Sequence, residues 1–217
     1  MSAESLKVLQ EEIQRLTEEN RRLQDELQAI RRSVQALSEL YSISQGITPD
    51  TDVIKLLGEI LDAALTVLKA SDGSLLLLDE QNGDLVFTVV RGASAGKLTG
   101  YRLPKGAGIA GWVAANHRPQ IVSDVRRDPR FFSKVDESFG FQTRSLVSVP
   151  VQLDNGRVLG VIEALNKTSD REFNQDDLEL LLIVAQLAAT AMRRAERAAE
   201  VIERRSALLQ KRPPTVR

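Results

Sequence analysis

The chain offers few residues of the types that carry out chemistry. It contains no cysteine and one histidine, His117, which excludes disulfides, thiolate metal centres, cysteine nucleophiles and any site that needs two imidazoles. Glycines 106, 108 and 111 are spaced like a phosphate cradle, but no Walker lysine motif accompanies them. The sequence also lacks a nucleophile elbow and a histidine–carboxylate arrangement. We therefore predict that the chain is not an enzyme.

A cluster of three aspartates does not suggest a metal site. Asp124, Asp128 and Asp136 alternate with arginines 126, 127 and 130, a pattern that favours a solvated, self-paired loop over cation binding. His117 follows a helical stretch, where a cation near a helix C-terminus is a sufficient explanation for it. We predict no metal and no certain cofactor.

The composition limits the classes of partner that the chain is expected to bind. The chain has 217 residues, 29 basic and 30 acidic side chains, and a formal charge of -1, a balance that argues against a nucleic-acid or anionic-membrane surface. No apolar run is long enough to cross a bilayer, and the N-terminus carries no apolar signal region. We expect a cytoplasmic protein without nucleic-acid or membrane partners.

A heptad repeat occupies the first forty residues. Apolar residues alternate at steps of three and four, which predicts a left-handed coiled coil, and a single Asn at an a position favours a parallel pair in fixed register. The alternative is a helix that covers a neighbouring domain of its own subunit, which usually shows a wider apolar stripe. We predict a parallel homodimer held by Leu6, Leu9, Ile13, Leu16, Asn20, Leu23, Leu27, Ile30, Val34 and Leu37.

The remaining chain predicts one α+β domain with an antiparallel sheet. A helix with a broad apolar face begins near Val53, two hairpins turn at Asn82-Gly83 and at Asn155-Gly156, and a short helix opens at the glycines before Trp112. The predicted divisions are a coiled coil over 1–36, a domain over 37–195, a signalling helix over 196–210 and a disordered tail over 211–217.

The last helix, predicted from about Gln175 to Gln210, begins with Asn174 as a candidate N-cap and Asp177 three residues on. Lys167, at the end of the preceding strand, is placed to pair with an aspartate of this first turn. A second, weaker heptad follows, which we interpret as a soft dimer seam: Leu178, Leu181, Ala185, Ala188, Met192, Ala195, Ala199, Ile202 and Leu209.

Four segments give residues 37–195 a resemblance to GAF domains, the small-molecule-sensing and dimerisation modules of signalling proteins. The segments are "GSLLLLDEQNGDLVF", "GAGIAGWVAANHRPQIVSDVRRDPRFF", "GFQTRSLVSVPV" and "GRVLGVIEALNK". The resemblance implies a six-stranded antiparallel sheet with terminal helices on one face. It places any ligand on the opposite face, under the glycine-rich loop and short helices.

The chain is most similar to the GAF domains of cyclic-nucleotide phosphodiesterases and some bacterial adenylyl cyclases. These carry an Asn-Lys, then a Phe, three residues, and Asp-Glu; here Leu178 replaces the Glu. The resemblance implies a structural role for Asn166, Lys167, Phe173 and Asp177. By matching motif, it implies that a cyclic nucleotide would contact Ile109, Ala110, Phe132, Thr143 and Glu163.

Two functions remain open at this stage. The first is a dimeric sensor that binds a small molecule, with a cyclic nucleotide as a candidate, and signals to a separate partner protein through its flanking helices. The second is an interaction scaffold whose pocket is filled by its own side chains, for which Phe139 is the candidate because nucleotide binders tend to have a small polar residue there.

Overall fold

The computed structural model describes residues 7, 10–24, 38, 52–93, 95–169 and 171–210, with side chains as far as residue 201. The chain divides into two compact units, Met1–Glu39 and Leu40–Arg217, which we describe separately. Among the described residues, no helix is long and apolar enough to cross a membrane.

The N-terminal unit contains a helix, α1, over residues 10–24. Three apolar residues of the predicted seam face solvent on this helix: Ile13 is 60% exposed, Leu16 51% and Leu23 58%. Asn20 is exposed on the same helix. The other six seam residues, Leu6, Leu9, Leu27, Ile30, Val34 and Leu37, lie outside the described residues. The parallel coiled coil therefore stays a prediction.

The second unit is built on one six-stranded sheet with the order β3-β2-β1-β6-β5-β4, in which every neighbouring pair is antiparallel. This confirms the predicted fold class. The strands are β1 Ala70–Leu78, β2 Leu85–Arg91, β3 Arg102–Leu103, β4 Gln120–Val122, β5 Leu146–Gln152 and β6 Val158–Lys167.

Two long helices, α2 Val53–Leu68 and α6 Gln175–Gln210, pack together and against one face of the sheet. Helix α2 begins where the Asp52 carboxylate accepts a hydrogen bond from Lys55 N at 3.0 Å, an N-cap. Helix α6 begins with two reciprocal bonds: Asn174 N donates to the Asp177 carboxylate, and Asp177 N donates to Asn174 Oδ1, at 2.9 and 3.0 Å. These side chains satisfy amides that the helix itself leaves without acceptors.

The seam predicted on α6 is wrong over its first half. Leu178, Leu181, Ala185 and Ala188 are between 0% and 7% exposed, because this stripe packs on the sheet and on α2 within the same subunit. Both an inward-facing stripe and a dimer seam repeat every three to four residues, so the spacing alone did not separate them. The side chains of Ile202 and Leu209 lie outside the described residues.

Shorter elements cover the opposite face of the sheet. They are α3 Ala95–Leu98, α4 Gly108–Asn116, a 3-10 turn at Val125–Arg127 and α5 Lys134–Phe139. Helix α3 lies in the glycine-rich stretch before β3, where the sequence indicated no helix. Apolar side chains from these elements and from the sheet form a second core that includes Leu76, Phe87, Ile109, Val113 and Val161.

Candidate ligand-binding cavity

A cavity opens between the sheet and the short elements that cover it, on the face of the sheet that carries the second core. Its empty space is about 680 Å³, a volume that includes open solvent at the mouth. The lining is mostly apolar and aromatic, with a few polar groups among them. The lining residues are Asp72, Gly73, Ser74, Phe87, Val90, Arg91, Leu98, Leu103, Gly108, Ile109, Ala110, Phe131, Phe132, Val135, Asp136, Phe141, Thr143, Leu146, Glu163 and Leu165.

Glu163 forms the polar floor of the cavity. It stands on the central strand β6 between Ser74 of β1 and Ser148 of β5, which are its partners in the two strand ladders. The Ser74 hydroxyl donates a hydrogen bond to Glu163 Oε2 at 3.3 Å. The buried Ser148 hydroxyl makes no hydrogen bond of normal geometry with any described residue. Burial raises the pKa of Glu163 to about 7, against a smaller lowering by the hydroxyls of Ser148 and Ser74. Ser148 lies close enough to act on the carboxylate from β5 even though its geometry falls outside that of a normal hydrogen bond.

One wall of the cavity is held by a carboxylate that the sequence did not single out as a ligand-site residue. Asp136 of α5 accepts hydrogen bonds from Thr143 N at 2.7 Å and from Thr143 Oγ1 at 2.8 Å. The hydroxyl proton of Thr143 is therefore committed to Asp136, and the Thr143 oxygen presents lone pairs to the cavity. The same contact fixes the loop between α5 and β5.

A second buried carboxylate, Asp72, ties three segments together at the cavity edge. It accepts hydrogen bonds from Ala93 N at 3.1 Å and from Asn166 Nδ2 at 3.3 Å, and another from the Ser71 hydroxyl. Asn166 also donates to Gln142 O at 3.0 Å and accepts from Arg144 N at 2.8 Å. The amide of Asn166 thus clamps the loop on both sides of Thr143.

The N-terminus of α4 supplies backbone donors to the cavity. The first backbone hydrogen bond of the helix runs from Gly111 N to Ala107 O at 3.1 Å. The amides of Gly108, Ile109 and Ala110 lie before this bond, so the helix itself offers them no acceptor, and no side chain caps them. A Cβ on Gly111 would fall 2.5 Å from the carbonyl carbon of Gly106. Glycine at 111 therefore lets the preceding loop fold back onto the helix.

The five residues that the resemblance indicated, Ile109, Ala110, Phe132, Thr143 and Glu163, all line this one cavity. Sequence reasoning missed Asp72, Ser74 and Asp136. Ser74 carries a period-2 signal, since it lies two residues before the buried Leu76 and shares its face of β1. No local signal marks the two aspartates, because their partners come from distant segments.

Phe139 does not fill the cavity. Its ring packs edge-on against Tyr101, with centroids 5.2 Å apart, and it is not among the lining residues. Phe131, Phe132 and Phe141 are the aromatic side chains of the covering segments that do face the cavity.

The Asn-Lys, Phe and Asp positions lie together at the base of α6. Lys167 forms an ion pair with Asp177, and both side chains are largely buried, at 10% and 15% exposed. The Lys167 ammonium also lies 5.1 Å from the ring centroid of Phe173, which is itself buried. These contacts join the end of β6 to the first turn of α6.

The acidic and basic loop pairs within itself only in part, because Asp136 instead accepts hydrogen bonds from Thr143 at the cavity wall. Arg130 makes a two-pronged contact with Asp128 and lies over the ring of Trp112, with the guanidinium carbon 4.6 Å from the centroid. This guanidinium lowers the pKa of the Asp128 carboxyl. Arg127 lies 3.3 Å from Asp124. Over the described ranges, no three metal-ligating side chains cluster together.

Comparison with known proteins gives a family and distant relatives. The chain is 28% identical over 162 residues to the dual 3',5'-cyclic-AMP and -GMP phosphodiesterase 11A of Takifugu rubripes, covering 69% of this chain and 18% of that protein. It is 26% identical over 170 residues to the Drosophila melanogaster dual phosphodiesterase 11, covering 72% and 12%. The chain thus spans less than a fifth of the length of these relatives.

Solved structures agree on the fold. The GAF domain of a phosphoenolpyruvate-protein phosphotransferase from Coxiella burnetii superposes with a TM-score of 0.67 at 16% identity, covering 77% of this chain and 96% of that one. The sequence profile of the GAF domain matches residues 52–192, the part of the chain that forms the sheet, the cavity and most of α6. The chain therefore belongs to the GAF domain family.

Proposed function

We propose that this chain is a dimeric regulatory sensor whose cavity binds a small molecule, with a cyclic nucleotide as the favoured ligand class. It would signal to a separate partner protein through its flanking helices rather than catalyse a reaction. The observation that carries the proposal is that all five residues indicated by the resemblance line one cavity. The names of the phosphodiesterase relatives, which act on cyclic AMP and cyclic GMP, support the ligand class.

The cavity offers donor and acceptor groups of the kinds that a cyclic nucleotide would use. Backbone amides at the start of α4 suit the phosphate, because helix N-termini favour anions. The ring of Phe132 suits stacking on a purine, and the oxygens of Thr143 and Glu163 suit the N–H groups of a base. The apolar remainder of the lining would bury the flat faces of the ligand.

The contacts around Asn166 support a route from the cavity to α6. Asn166 bonds both neighbours of Thr143, and the next residue, Lys167, is paired with Asp177 in the first turn of α6. A ligand that pulls on Thr143 would therefore act on a short, buried chain of contacts that ends at this helix. A change in the helix would be the signal that a partner detects.

The scaffold alternative requires a cavity closed by its own side chains. Phe139, the residue that we expected to close it, packs against Tyr101 instead. The two functions are separated by thermal-shift measurements with cyclic AMP and cyclic GMP. A binding cavity predicts stabilisation that grows with ligand concentration as RT ln(1 + [L]/Kd). No shift with either nucleotide at millimolar concentration would contradict the nucleotide version.

A further inference from the structure

The three carboxylates that face the cavity differ in the hydrogen bonds that they accept from the protein. Asp72 and Asp136 each accept at least one N–H hydrogen bond from the protein, as described above. Glu163 accepts one bond, from the Ser74 hydroxyl at 3.3 Å, and no N–H donor from the described residues reaches it. Because Glu163 is only 7% exposed, its charged form is poorly solvated, and serine hydroxyls are the donors that the described residues place beside it.

Among the residues that the structure describes, no cationic side chain pairs with Glu163. The charged side chains that line the cavity with Glu163 are Asp72 from β1, Asp136 from α5 and Arg91 from β2. Arg91 is turned to Asp62 of α2, with Nε 2.6 Å from Oδ1 and Nη2 3.1 Å from Oδ2. From β5 the neighbour is Ser148, and α4 contributes backbone and apolar side chains.

We propose that Glu163 holds a proton in the empty cavity and releases it to solvent when a ligand presents two adjacent N–H groups to its carboxylate. The chemical class is a planar nitrogen-rich ligand, of which the N1–H and N2–H edge of guanine is one example. The proposal rests on the proposed function, that this cavity binds a small molecule.

The exchange is balanced and lies in an accessible pH range. The O–H bond of the Glu163 acid breaks, its proton passes to buffer, and both ligand N–H groups remain on the ligand as donors to the two carboxylate oxygens. Since burial raises the pKa of Glu163 to about 7, the exchange occurs near neutral pH. The neutral acid instead offers one donor and one acceptor, which matches the N1 and amino edge of adenine.

The protonation state of Glu163 therefore decides which of the two base edges it can bind, and that state depends on pH. The other polar side chains do not duplicate it, because the Thr143 hydroxyl is already donated to Asp136. Ligand preference should therefore shift from an adenine-type edge at low pH to a guanine-type edge at high pH. Glu163 is the residue that sets this specificity.

Calorimetric titration of the full chain with cyclic GMP and cyclic AMP, at pH 6.0 and 8.5 and in two buffers of different ionisation enthalpy, tests the proposal. For a group with a pKa of about 7 we expect cyclic GMP to release about 0.9 proton at pH 6.0 and almost none at 8.5, and to bind roughly tenfold more weakly at the lower pH. Cyclic AMP should release no proton at pH 6.0 and lose affinity as the pH rises.

Two variants separate Glu163 from other titrating groups. Glu163→Gln should abolish the proton release and the pH dependence, and should weaken cyclic GMP more than cyclic AMP, because a carboxamide resembles the neutral acid. His117→Asn removes the one imidazole in the chain and should leave both effects intact. Proton release that persists in Glu163→Gln, or cyclic GMP binding without release at pH 6.0, would overturn the proposal.

A ligand-independent readout keeps this inference distinct from the proposed function. The side-chain carboxyl carbons of the glutamates, labelled with ¹³C and assigned by comparison with Glu163→Gln, report ionisation in the empty protein. A Glu163 signal that titrates in the ordinary carboxyl range overturns the inference even if nucleotides bind. If Glu163 titrates near neutral pH but neither nucleotide binds, the nucleotide part of the proposed function fails, and with it the ligand class proposed here.

Discussion

Replacing Glu163 by glutamine tests the electrostatics of the cavity floor without any ligand. The folded protein holds the pKa of this carboxyl at about 7, against 4.5 as its ordinary value, because burial disfavours the charge. Between these two values the folded state binds more protons than the unfolded state, so stability is greatest at low pH and falls as the pH rises through this window. Glutamine has no charge and should not show this loss.

The magnitude follows from the two pKa values. At 1.36 kcal/mol per pKa unit, the raised pKa of Glu163 costs about 3 kcal/mol of stability well above pH 7 and about 1 kcal/mol at pH 5, where the folded protein keeps the carboxyl protonated while the unfolded chain ionises it. The stability gained by Glu163→Gln should therefore be larger at pH 8 than at pH 5 by about 2 to 3 kcal/mol. For a domain of this size the difference corresponds to roughly 5 to 10 °C in Tm.

Urea unfolding of both proteins at pH 5, 6, 7 and 8 measures this difference. Glu137→Gln is the matched control, since Glu137 is exposed on α5 and its replacement should change stability by the same small amount at every pH. A Glu163→Gln effect that stays constant within about 0.5 kcal/mol from pH 5 to 8 would refute the buried, unpaired carboxylate on which this reasoning depends.

Three further outcomes are expected. Gly160→Ala should destabilise the domain by about 3 kcal/mol or prevent folding, because its Cβ would lie 2.0 Å from Leu76 O in the neighbouring strand. Gly96→Ala, which meets nothing within 4 Å, should be neutral, and equal urea midpoints for the two variants would contradict the packing described. A double-mutant cycle of Lys167→Met and Asp177→Asn should give a coupling energy of about 1 to 3 kcal/mol, because the ion pair is largely buried. A coupling energy near zero would show that this pair does not join β6 to α6. Deleting residues 1–36 should convert a dimer to a monomer in sedimentation equilibrium, and an unchanged dimer would show that the heptad does not hold it.

The regular elements could be predicted because hydrophobic periodicity and turn residues act locally. The hairpin turn at Asn82-Gly83 and the broad apolar face of α2 each follow from neighbours within a few positions. Helix α3 was missed because its four residues include a glycine and contribute one buried side chain, Leu98, so they show no helical periodicity. Where tertiary packing decides between two similar patterns, as on α6, the sequence alone is insufficient.

The residues of the cavity likewise divide into those that could be predicted from the sequence and those that could not. Its five indicated residues came from a family resemblance, whose motifs preserve positions that are distant in sequence. Asp136 reaches Thr143 across a turn of seven residues, and Asp72 reaches Asn166 across 94. The first contact crosses the loop that follows α5 and the second joins two different strands, so no helical or strand period marks either aspartate as part of the wall.

Occupation of this cavity is the central claim, and one comparison tests it most directly. Val135 lines the cavity, so Val135→Phe should fill it, whereas Ile54→Phe adds a comparable ring at an exposed site on α2, on the opposite face of the sheet. Calorimetric titration at pH 8 should show a cyclic nucleotide binding the wild type and Ile54→Phe with equal affinity, and Val135→Phe at least tenfold more weakly. Equal binding by all three proteins would place the ligand elsewhere, and binding by none would contradict the cyclic-nucleotide sensor.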